Sequence, residues 1–171
     1  MRQVRYGVAM SLDGYIAGPN GEFDWIPMDP EIDFTALWAQ YDTVVMGRKT
    51  FEASGGMATG RKGTEVVVYS TTLDPARHKK VTVVKTDPAA HLRELKARPG
   101  KDIWLFGGAV LFHSLLGAGL VDGIDAAVVP VLLGGGIPLL PAPTAHAKLS
   151  LTAHRVYKTS GIVLLEYAVS R

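Results

Sequence analysis

The sequence predicts a three-layer α/β sandwich whose sheet is mixed and mostly parallel, with an antiparallel edge at its C-terminal end. Through the first two thirds of the chain, short Val-, Ile- and Leu-rich runs alternate with helix-like segments, and the last runs follow one another directly. Continuous apolar strands separated by helices are typical of parallel sheets covered on both faces, whereas closely spaced strands of alternating polarity favour antiparallel pairing. A chain of 171 residues fits one domain with one core.

Eight segments have the composition and length of β-strands, because each is rich in β-branched or aromatic residues and lies between turn-forming or polar residues. They are residues 4–10, 43–46, 65–69, 81–84, 103–106, 124–132, 149–157 and 162–169. The order of elements is therefore β-α-β through the first two thirds of the chain and β-β-β at its end.

Three helices are predicted from start signals and spacing. The first should begin at Asp29-Pro30, since Asp caps a helix and proline suits its first turn. Its apolar residues then recur at the spacing of one helix face, at Phe34, Leu37, Trp38 and Tyr41. The second should begin at Asp87-Pro88 and stop at Pro99-Gly100, and the third should run from about Ala109 to Leu116.

Composition and charge narrow the class of protein. With 47% hydrophobic and 20% charged residues the chain is neither disordered nor membrane-spanning, and no apolar run approaches the roughly 18 residues needed to cross a bilayer. The net charge of +2 comes from interspersed charges without a basic stripe, which argues against nucleic-acid binding. Charges near the N-terminus do not fit a signal peptide, so we expect a cytoplasmic protein. The absence of cysteine excludes cysteine-bound zinc, no metal site is predicted, and the expected partner is a small molecule.

In open α/β sheets ligands bind beyond the carboxyl ends of the strands, so the residues that follow each strand are the first candidates for a site. Residues 103–106 run into Gly107 and Gly108 and then directly into the third helix. Glycine lets the backbone approach a ligand, and the free amides at a helix start attract phosphate. A tight strand-to-helix turn would use the same glycines, so this strand end alone leaves both interpretations open.

A second strand end carries two cations, because residues 43–46 lead into Gly47, Arg48, Lys49 and Thr50. Positive side chains at a helix start oppose the helix dipole and cost about several tenths of a kcal/mol. This arrangement suggests a bound anion, for which guanidinium and ammonium groups are suitable partners. A solvated charge pair is the alternative.

A third strand end, after residues 65–69, offers the hydroxyls of Ser70 and Thr71, although hydroxyls also occur in ordinary turns. Three phosphate-compatible ends at one edge of a sheet are better explained together than separately. An extended dinucleotide with an added phosphate would contact all three. The sequence therefore predicts NADPH as the cofactor.

Several motifs carry a family resemblance. VVMGRKTFE (residues 44–52) and FGGAVLF (residues 106–112) are similar to the cofactor-binding segments of dihydrofolate reductases. A closer resemblance covers nearly the whole chain, since SLDG, WAQYDTVVMG and GLVDGIDAAVVPVLLG are similar to the reductase domain of the bifunctional riboflavin biosynthesis deaminase-reductase. The resemblance implies a dihydrofolate reductase-like fold and a stand-alone reductase domain. The deaminase half is missing, because its zinc signature needs cysteines.

The resemblance also assigns residues to the cofactor. It implies that the pyrophosphate and the adenosine 2′-phosphate are held by Gly47, Arg48, Lys49 and Thr50. The adenosine-phosphate pocket would be lined by Ser70 and Thr71. The pyrophosphate and nicotinamide would be wrapped by Gly107, Gly108, Ala109 and Val110, and the nicotinamide ring flanked by Ala9 and Ile16.

The stretch SLDGYIAGPNGEFDW (residues 11–25) is too long for a hairpin turn, which needs about two to five residues. The resemblance implies a lid over the nicotinamide and substrate, and mixed glycines and apolar residues suit such a lid. Asp13 would then face the substrate, unless Asp13-Gly14 is simply a turn. Dihydrofolate reductases place one substrate carboxylate on the first helix, where Glu31 and Asp33 both lie. The alternative for these two is a helix-dipole partner in the first turn.

The expected function is an NADPH-dependent reductase of a small heterocyclic or ribosylamino substrate, with the riboflavin intermediate ahead of dihydrofolate. Tyr15 stands where riboflavin reductases usually carry a basic residue, which disfavours a phosphoribosyl substrate. The alternative is a non-catalytic dinucleotide-binding or dimer-forming domain. The family pairs through its late strands, and the apolar segment 124–140 favours a homodimer unless it is a central strand.

Overall fold

The structure, a computed structural model, describes residues 1–170 and contains an eight-stranded sheet, a two-stranded ribbon and four α-helices. The strands are β1 (Val4–Ser11), β2 (Tyr15–Ala17), β3 (Tyr41–Gly47), β4 (Glu65–Tyr69), β5 (Thr82–Val84), β6 (Asp102–Gly107), β7 (Gly123–Val129), β8 (Ile137–Pro138), β9 (Leu149–Val156) and β10 (Val163–Val169). The helices are α1 (Phe34–Ala39), α2 (Arg48–Ala53), α3 (Pro88–Ala97) and α4 (Ala109–Gly117). None of the helices within these 170 residues has the length and apolarity that a membrane crossing requires.

The large sheet has the strand order β5-β4-β3-β6-β1-β7-β10-β9. All neighbours from β5 to β7 pair in parallel, and β10 pairs antiparallel with both β7 and β9. The predicted mixed, mostly parallel sheet with an antiparallel C-terminal edge is therefore confirmed. The short strands β2 and β8 pair with each other, and such short pieces leave no periodic signal in the sequence.

Helices cover both faces of the sheet, because the inner strands carry apolar residues on each of their two faces. In β3, Val45 belongs to a core cluster with Leu92 of α3 and Phe112 of α4. Its neighbour Val44 packs in a second cluster with Trp38 of α1. Since neighbouring strand residues point to opposite faces, the two clusters lie on opposite sides of the sheet. The molecule thus has the three predicted layers.

The first helix begins later than its sequence signals indicate. Asp33 is its N-cap and accepts a hydrogen bond of 2.9 Å from the amide of Ala36. Asp29 is buried instead, and its carboxylate accepts hydrogen bonds from the amides of Glu31 (2.8 Å) and Ser160 (2.9 Å). The predicted start at Asp29 is therefore wrong, because a contact with a distant segment holds the side chain that would have capped the helix.

The apolar segment predicted as a strand over residues 124–132 ends its strand pairing at Val129. This strand, β7, lies inside the sheet between β1 and β10. Its apolar character therefore comes from an interior position, and the central-strand interpretation applies to residues 124–129. The homodimer itself stays a prediction.

Candidate cofactor site

The structure brings the three predicted strand ends together at one edge of the sheet. The strands β6, β3 and β4 are neighbours, and Met46 is in register with Gly107 while Gly47 is in register with Tyr69. Because the three strands are parallel, the residues that follow them emerge on the same side. The glycine pair, the Arg48-Lys49-Thr50 segment and Ser70 therefore lie side by side.

The turn at Gly107 and Gly108 is shaped for close approach. Gly107 has a φ of 138°, a conformation that residues with a Cβ rarely adopt. A Cβ built on Gly108 would lie 3.0 Å from the hydroxyl oxygen of Thr50, and one on Gly107 would lie 3.4 Å from the same atom. The peptide bond between the two glycines is cis. Glycine at both positions thus leaves a narrow space beside Thr50 that any larger side chain would fill.

The N-terminus of α4 opens directly from this turn. Gly108 is the N-cap, and within the described chain no side chain caps the helix and no acidic residue lies in its first turn. Ala109 is buried, whereas the side chain of Val110 is 78% exposed. The first amides of a helix carry partial positive charge, so this N-terminus can bind an anion.

The cations of the second strand end lie at the start of α2. The Arg48 guanidinium contacts both carboxylate oxygens of Glu52, at 2.8 and 3.0 Å, and both side chains are well exposed. Lys49 is exposed. An exposed pair four residues apart in a helix contributes only about 0.3–0.5 kcal/mol. Arg48 can therefore exchange Glu52 for a phosphate at little cost.

Of the two hydroxyls at the third strand end, that of Ser70 takes part in a turn and that of Thr71 faces solvent. The Ser70 oxygen accepts hydrogen bonds from the amides of Thr72 (3.2 Å) and Leu73 (2.9 Å). This is the ordinary turn that the sequence left as the alternative. The Ser70 hydroxyl can still donate its hydrogen to a ligand, and Thr71 beside it is exposed.

The loop that follows β1 is held over the end of the sheet by the ribbon of β2 and β8. Ile16 lies in the middle of β2 and is half-buried, as is Ala9 of β1, which is in register with Ala127. A Cβ on Gly136 would lie 2.2 Å from the carbonyl oxygen of Ala17, so only glycine allows the two segments to approach. The loop is thus fixed against the segment after β7.

Asp13 joins these two segments. Its carboxylate accepts hydrogen bonds from the Ser11 hydroxyl (2.6 Å) and from the amides of Leu133 (3.1 Å) and Gly134 (2.7 Å). The Ser11 hydroxyl, followed by the Gly134 and Leu133 amides, holds the pKa of the Asp13 carboxyl below its ordinary value, against the opposing effect of burial. Asp13 therefore has a structural role that reaches beyond a local turn, and its contact with substrate stays a prediction.

The two predicted carboxylates near the first helix are both exposed. Asp33 caps α1, which is the helix-partner interpretation, and Glu31 accepts a hydrogen bond of 3.3 Å from the Thr159 hydroxyl. A substrate role for either stays a prediction.

Three exposed apolar side chains lie beyond the ends of neighbouring strands, and only Val110 among them was predicted from the sequence as a cofactor contact. Leu12 follows β1, Val110 follows β6 and Leu132 follows β7, and they are 64%, 78% and 69% exposed. Large exposed apolar groups near a glycine turn suit the surface of a ligand site. In the sequence, Leu12 and Leu132 could not be told apart from core residues.

Comparisons with known proteins show relatives that match nearly the whole chain. YyaP, an uncharacterized protein of Bacillus subtilis strain 168, is 32% identical over 179 residues, covering 97% of this chain and 94% of YyaP. A solved structure of a Shewanella sp. PV-4 protein named for riboflavin biosynthesis is similar with a TM-score of 0.82 at 28% identity, covering 100% of each chain.

Two further solved structures share the fold at 17% identity, and each has a TM-score of 0.72. One is a diaminohydroxyphosphoribosylaminopyrimidine deaminase/5-amino-6-(5-phosphoribosylamino)uracil reductase from Thermotoga maritima, covering 99% of this chain and 57% of that one. The other is dihydrofolate reductase from Enterococcus faecalis complexed with NADP(H), covering 99% and 97%. The fold is therefore dihydrofolate reductase-like. The model of the RibD C-terminal domain matches residues 2–164, and the chain belongs to the RibD C-terminal domain family.

Proposed function

We propose that this protein is an NADPH-dependent reductase of a small heterocyclic or ribosylamino substrate, most like the 5-amino-6-(5-phosphoribosylamino)uracil reductase step of riboflavin biosynthesis. The observation that carries the proposal is the turn at Gly107 and Gly108, which lies against Thr50 and opens at the N-terminus of α4. Membership of the RibD C-terminal domain family supports it, as does the fold shared with a reductase that binds NADP(H).

The residues at this edge fit a phosphorylated dinucleotide. The first amides of α4, with Ala109 and Val110, would hold the pyrophosphate where the two glycines leave room. Arg48 would leave Glu52 for the adenosine 2′-phosphate, because a hydrogen bond to a charged group contributes about 1.5–3 kcal/mol and the exposed pair contributes less. The same region is completed by Gly47, Lys49, Thr50, Ser70 and Thr71.

The remaining residues would serve the reacting end. Bound NADPH supplies the hydride, and the chain has to hold the nicotinamide within about 3–3.5 Å of the substrate carbon in a dry site. Ala9 and Ile16 would flank the ring, and the lid that Asp13 ties down would exclude water. Toward the substrate we place Asp13, Glu31 and Asp33, of which Asp33 is committed to its helix cap.

The test is binding followed by turnover. At 100 times its dissociation constant NADPH should stabilise the folded protein by about 2.7 kcal/mol, with a smaller effect of NADH at the same concentration. Equal shifts of the melting temperature would contradict the assignment of the phosphate pocket. NADPH oxidation with a panel of aminopyrimidine and pterin substrates would then identify the substrate class.

A non-catalytic dinucleotide-binding domain is the second candidate. It is favoured by the internal hydrogen bonds of Asp13, Asp33 and Ser70, which are the polar groups expected to face ligands. NADPH binding without oxidation on any member of the panel would support this alternative over the reductase.

We also propose a homodimer in the cytoplasm that forms through the C-terminal edge of the sheet. All eight residues of the edge strand β9 are exposed. Leu149, Leu151 and Val156 are 42–54% exposed, and each lies beside an apolar or aromatic residue of β10. An edge strand with exposed apolar residues favours pairing with a second copy. Light scattering should give twice the monomer mass at micromolar concentration.

A further inference from the structure

The loop between β2 and α1 is docked onto a distant part of the chain, the turn between β9 and β10. We call residues 22–33 the docked loop and residues 157–162 the edge turn. Asp29 in the docked loop is 3% exposed, and its carboxylate accepts one hydrogen bond from its own loop, at the Glu31 amide, and one from the edge turn, at the Ser160 amide. A single side chain therefore bridges segments that are 131 positions apart.

Further polar contacts support the same junction. The Thr159 hydroxyl donates to the Glu31 carboxylate (3.3 Å), and the Arg155 guanidinium donates to the Glu31 carbonyl oxygen (3.4 Å). The Ser160 hydroxyl, the amides at the junction and the charge of Arg155 lower the pKa of the Asp29 carboxyl, against the opposing effect of burial. Asp29 is therefore ionised at neutral pH, where an anion is the better acceptor.

Apolar packing places this junction beside the candidate site. Tyr157 and Ile162 of the edge turn are buried in one cluster, and the docked loop contributes Trp25, Ile26 and Ile32. Ala9 of β1 packs against the same cluster. The docked loop is therefore part of the wall around the strand residue that we place next to the nicotinamide.

We propose that Asp29 is a positioning residue that latches the docked loop onto the edge turn and thereby keeps solvent away from bound nicotinamide. The inference rests on the proposed cofactor but adds a residue that touches neither cofactor nor substrate. Removing the charge of Asp29 should release the docked loop from the edge turn and expose Ala9 to solvent. The residues proposed to bind the phosphates, at the glycine turn and the start of α2, should be unchanged. Solvent access to the nicotinamide would then increase while binding of the phosphates stays the same.

The experiment compares Asp29→Asn with Asp24→Asn in the full chain. Asp24 is an exposed carboxylate in the same loop and serves as the matched control. Asn has the size of Asp but keeps only one acceptor oxygen, so its NH2 group faces one of the two backbone amides that donate to Asp29. We expect Asp29→Asn to speed hydrogen exchange about tenfold in residues 22–33 and 157–162, and Asp24→Asn to leave it unchanged.

The second measurement is acrylamide quenching of the fluorescence of bound NADPH, together with the melting shift that NADPH produces. Asp29→Asn should make quenching stronger while the melting shift stays near that of the wild type. Thr159→Ala removes only the bond to Glu31 and should produce the same changes at smaller amplitude, which covers the case of an unfolded Asp29 variant.

Each outcome decides the inference. Unchanged exchange in the docked loop would overturn the latch, and faster exchange with unchanged quenching would show that Asp29 only stabilises the loop. If the wild-type protein does not bind NADPH, the proposed function fails and this inference fails with it. The first two results leave the proposed function intact, so the two failures are distinguishable.

Discussion

Filling the glycine turn with one methyl group tests the candidate cofactor site most directly. Gly108 has φ −97° and ψ −169°, a conformation open to any residue, so Gly108→Ala requires no change in φ or ψ. The added Cβ would lie 3.0 Å from the Thr50 hydroxyl oxygen, a contact that a small movement of that side chain relieves. The unfolded chain loses entropy through the same change, which stabilises the fold by about 0.4–1 kcal/mol. We therefore expect little net change in the stability of the unliganded protein.

Cofactor binding should change much more, because the methyl group occupies space that we assign to the pyrophosphate. Losing about two charge-assisted hydrogen bonds, at about 1.5 kcal/mol each, weakens binding roughly a hundredfold. At an NADPH concentration of 100 wild-type dissociation constants, the stabilisation then falls from about 2.7 to about 0.4 kcal/mol. For a chain of this size, the melting shift falls from about 5–11 °C to about 1–2 °C.

The assay is thermal unfolding with and without NADPH, and Gly117→Ala is the matched control. Gly117 is the last residue of the same helix, and nothing among the described residues lies within 4 Å of a Cβ built there. The control should keep the wild-type NADPH shift. A Gly108→Ala protein that also keeps that shift would refute the placement of the cofactor at this turn.

Three other changes separate the roles of individual side chains. Arg48→Ala should remove most of the preference for NADPH over NADH in melting shifts, because Lys49 cannot make a bidentate phosphate contact; a retained preference would exclude Arg48 from the pocket. Asp13→Asn replaces the charged acceptor of the Gly134 amide with a neutral one, so hydrogen exchange there should rise and turnover efficiency should fall about ten- to a hundredfold. Full activity would show that Asp13 only holds the loop. Since the pKa of Asp13 is lowered, its hydrogen bond with the Gly134 amide should persist above pH 3.8, the ordinary value, and be lost as pH falls through the lower folded value. An NMR chemical shift of the Gly134 amide that does not change in acid would contradict this. The buried Tyr6 hydroxyl has no partner among residues 1–170, so Tyr6→Phe should raise the unfolding free energy by about 1 kcal/mol in urea, and a decrease would reveal a hidden partner.

The strands and the edge that carries the site could be predicted from the sequence because their signals are local. Val44, Val45 and Met46 read as a buried strand, and Gly47 marks where it ends. The same pattern at residues 103–108 gave the strand end with the glycine pair, and the parallel order placed both ends together. Helix α3 was predicted with its cap, since Asp87 accepts from the first amides of its own helix.

The wrong helix start at Asp29 and the open interpretation of the apolar run both depend on long-range contacts that no local pattern records. Asp29 has the sequence signal of a helix cap, but its partner Ser160 lies 131 positions away. The apolar run at residues 124–129 fits an exposed interface and an interior strand equally well. Only the position of β10 beside it decides between the two.

The hydrogen-bond partners of the candidate polar residues were also not predicted from the sequence. Ser70 was selected because hydroxyls can reach phosphate, and Asp13 and Asp33 because the family resemblance places them near the substrate. Each of the three accepts hydrogen bonds from backbone amides of its own chain. Loops that extend beyond a sheet edge expose such amides, and a side chain that satisfies them fixes the shape of the loop. A polar residue at this edge can therefore serve the site by shaping the loop that a ligand meets. We propose that direct contact with the ligand falls to groups that the chain leaves open, which are the glycine turn, the first amides of α4 and Arg48, whose exposed contact with Glu52 can be exchanged.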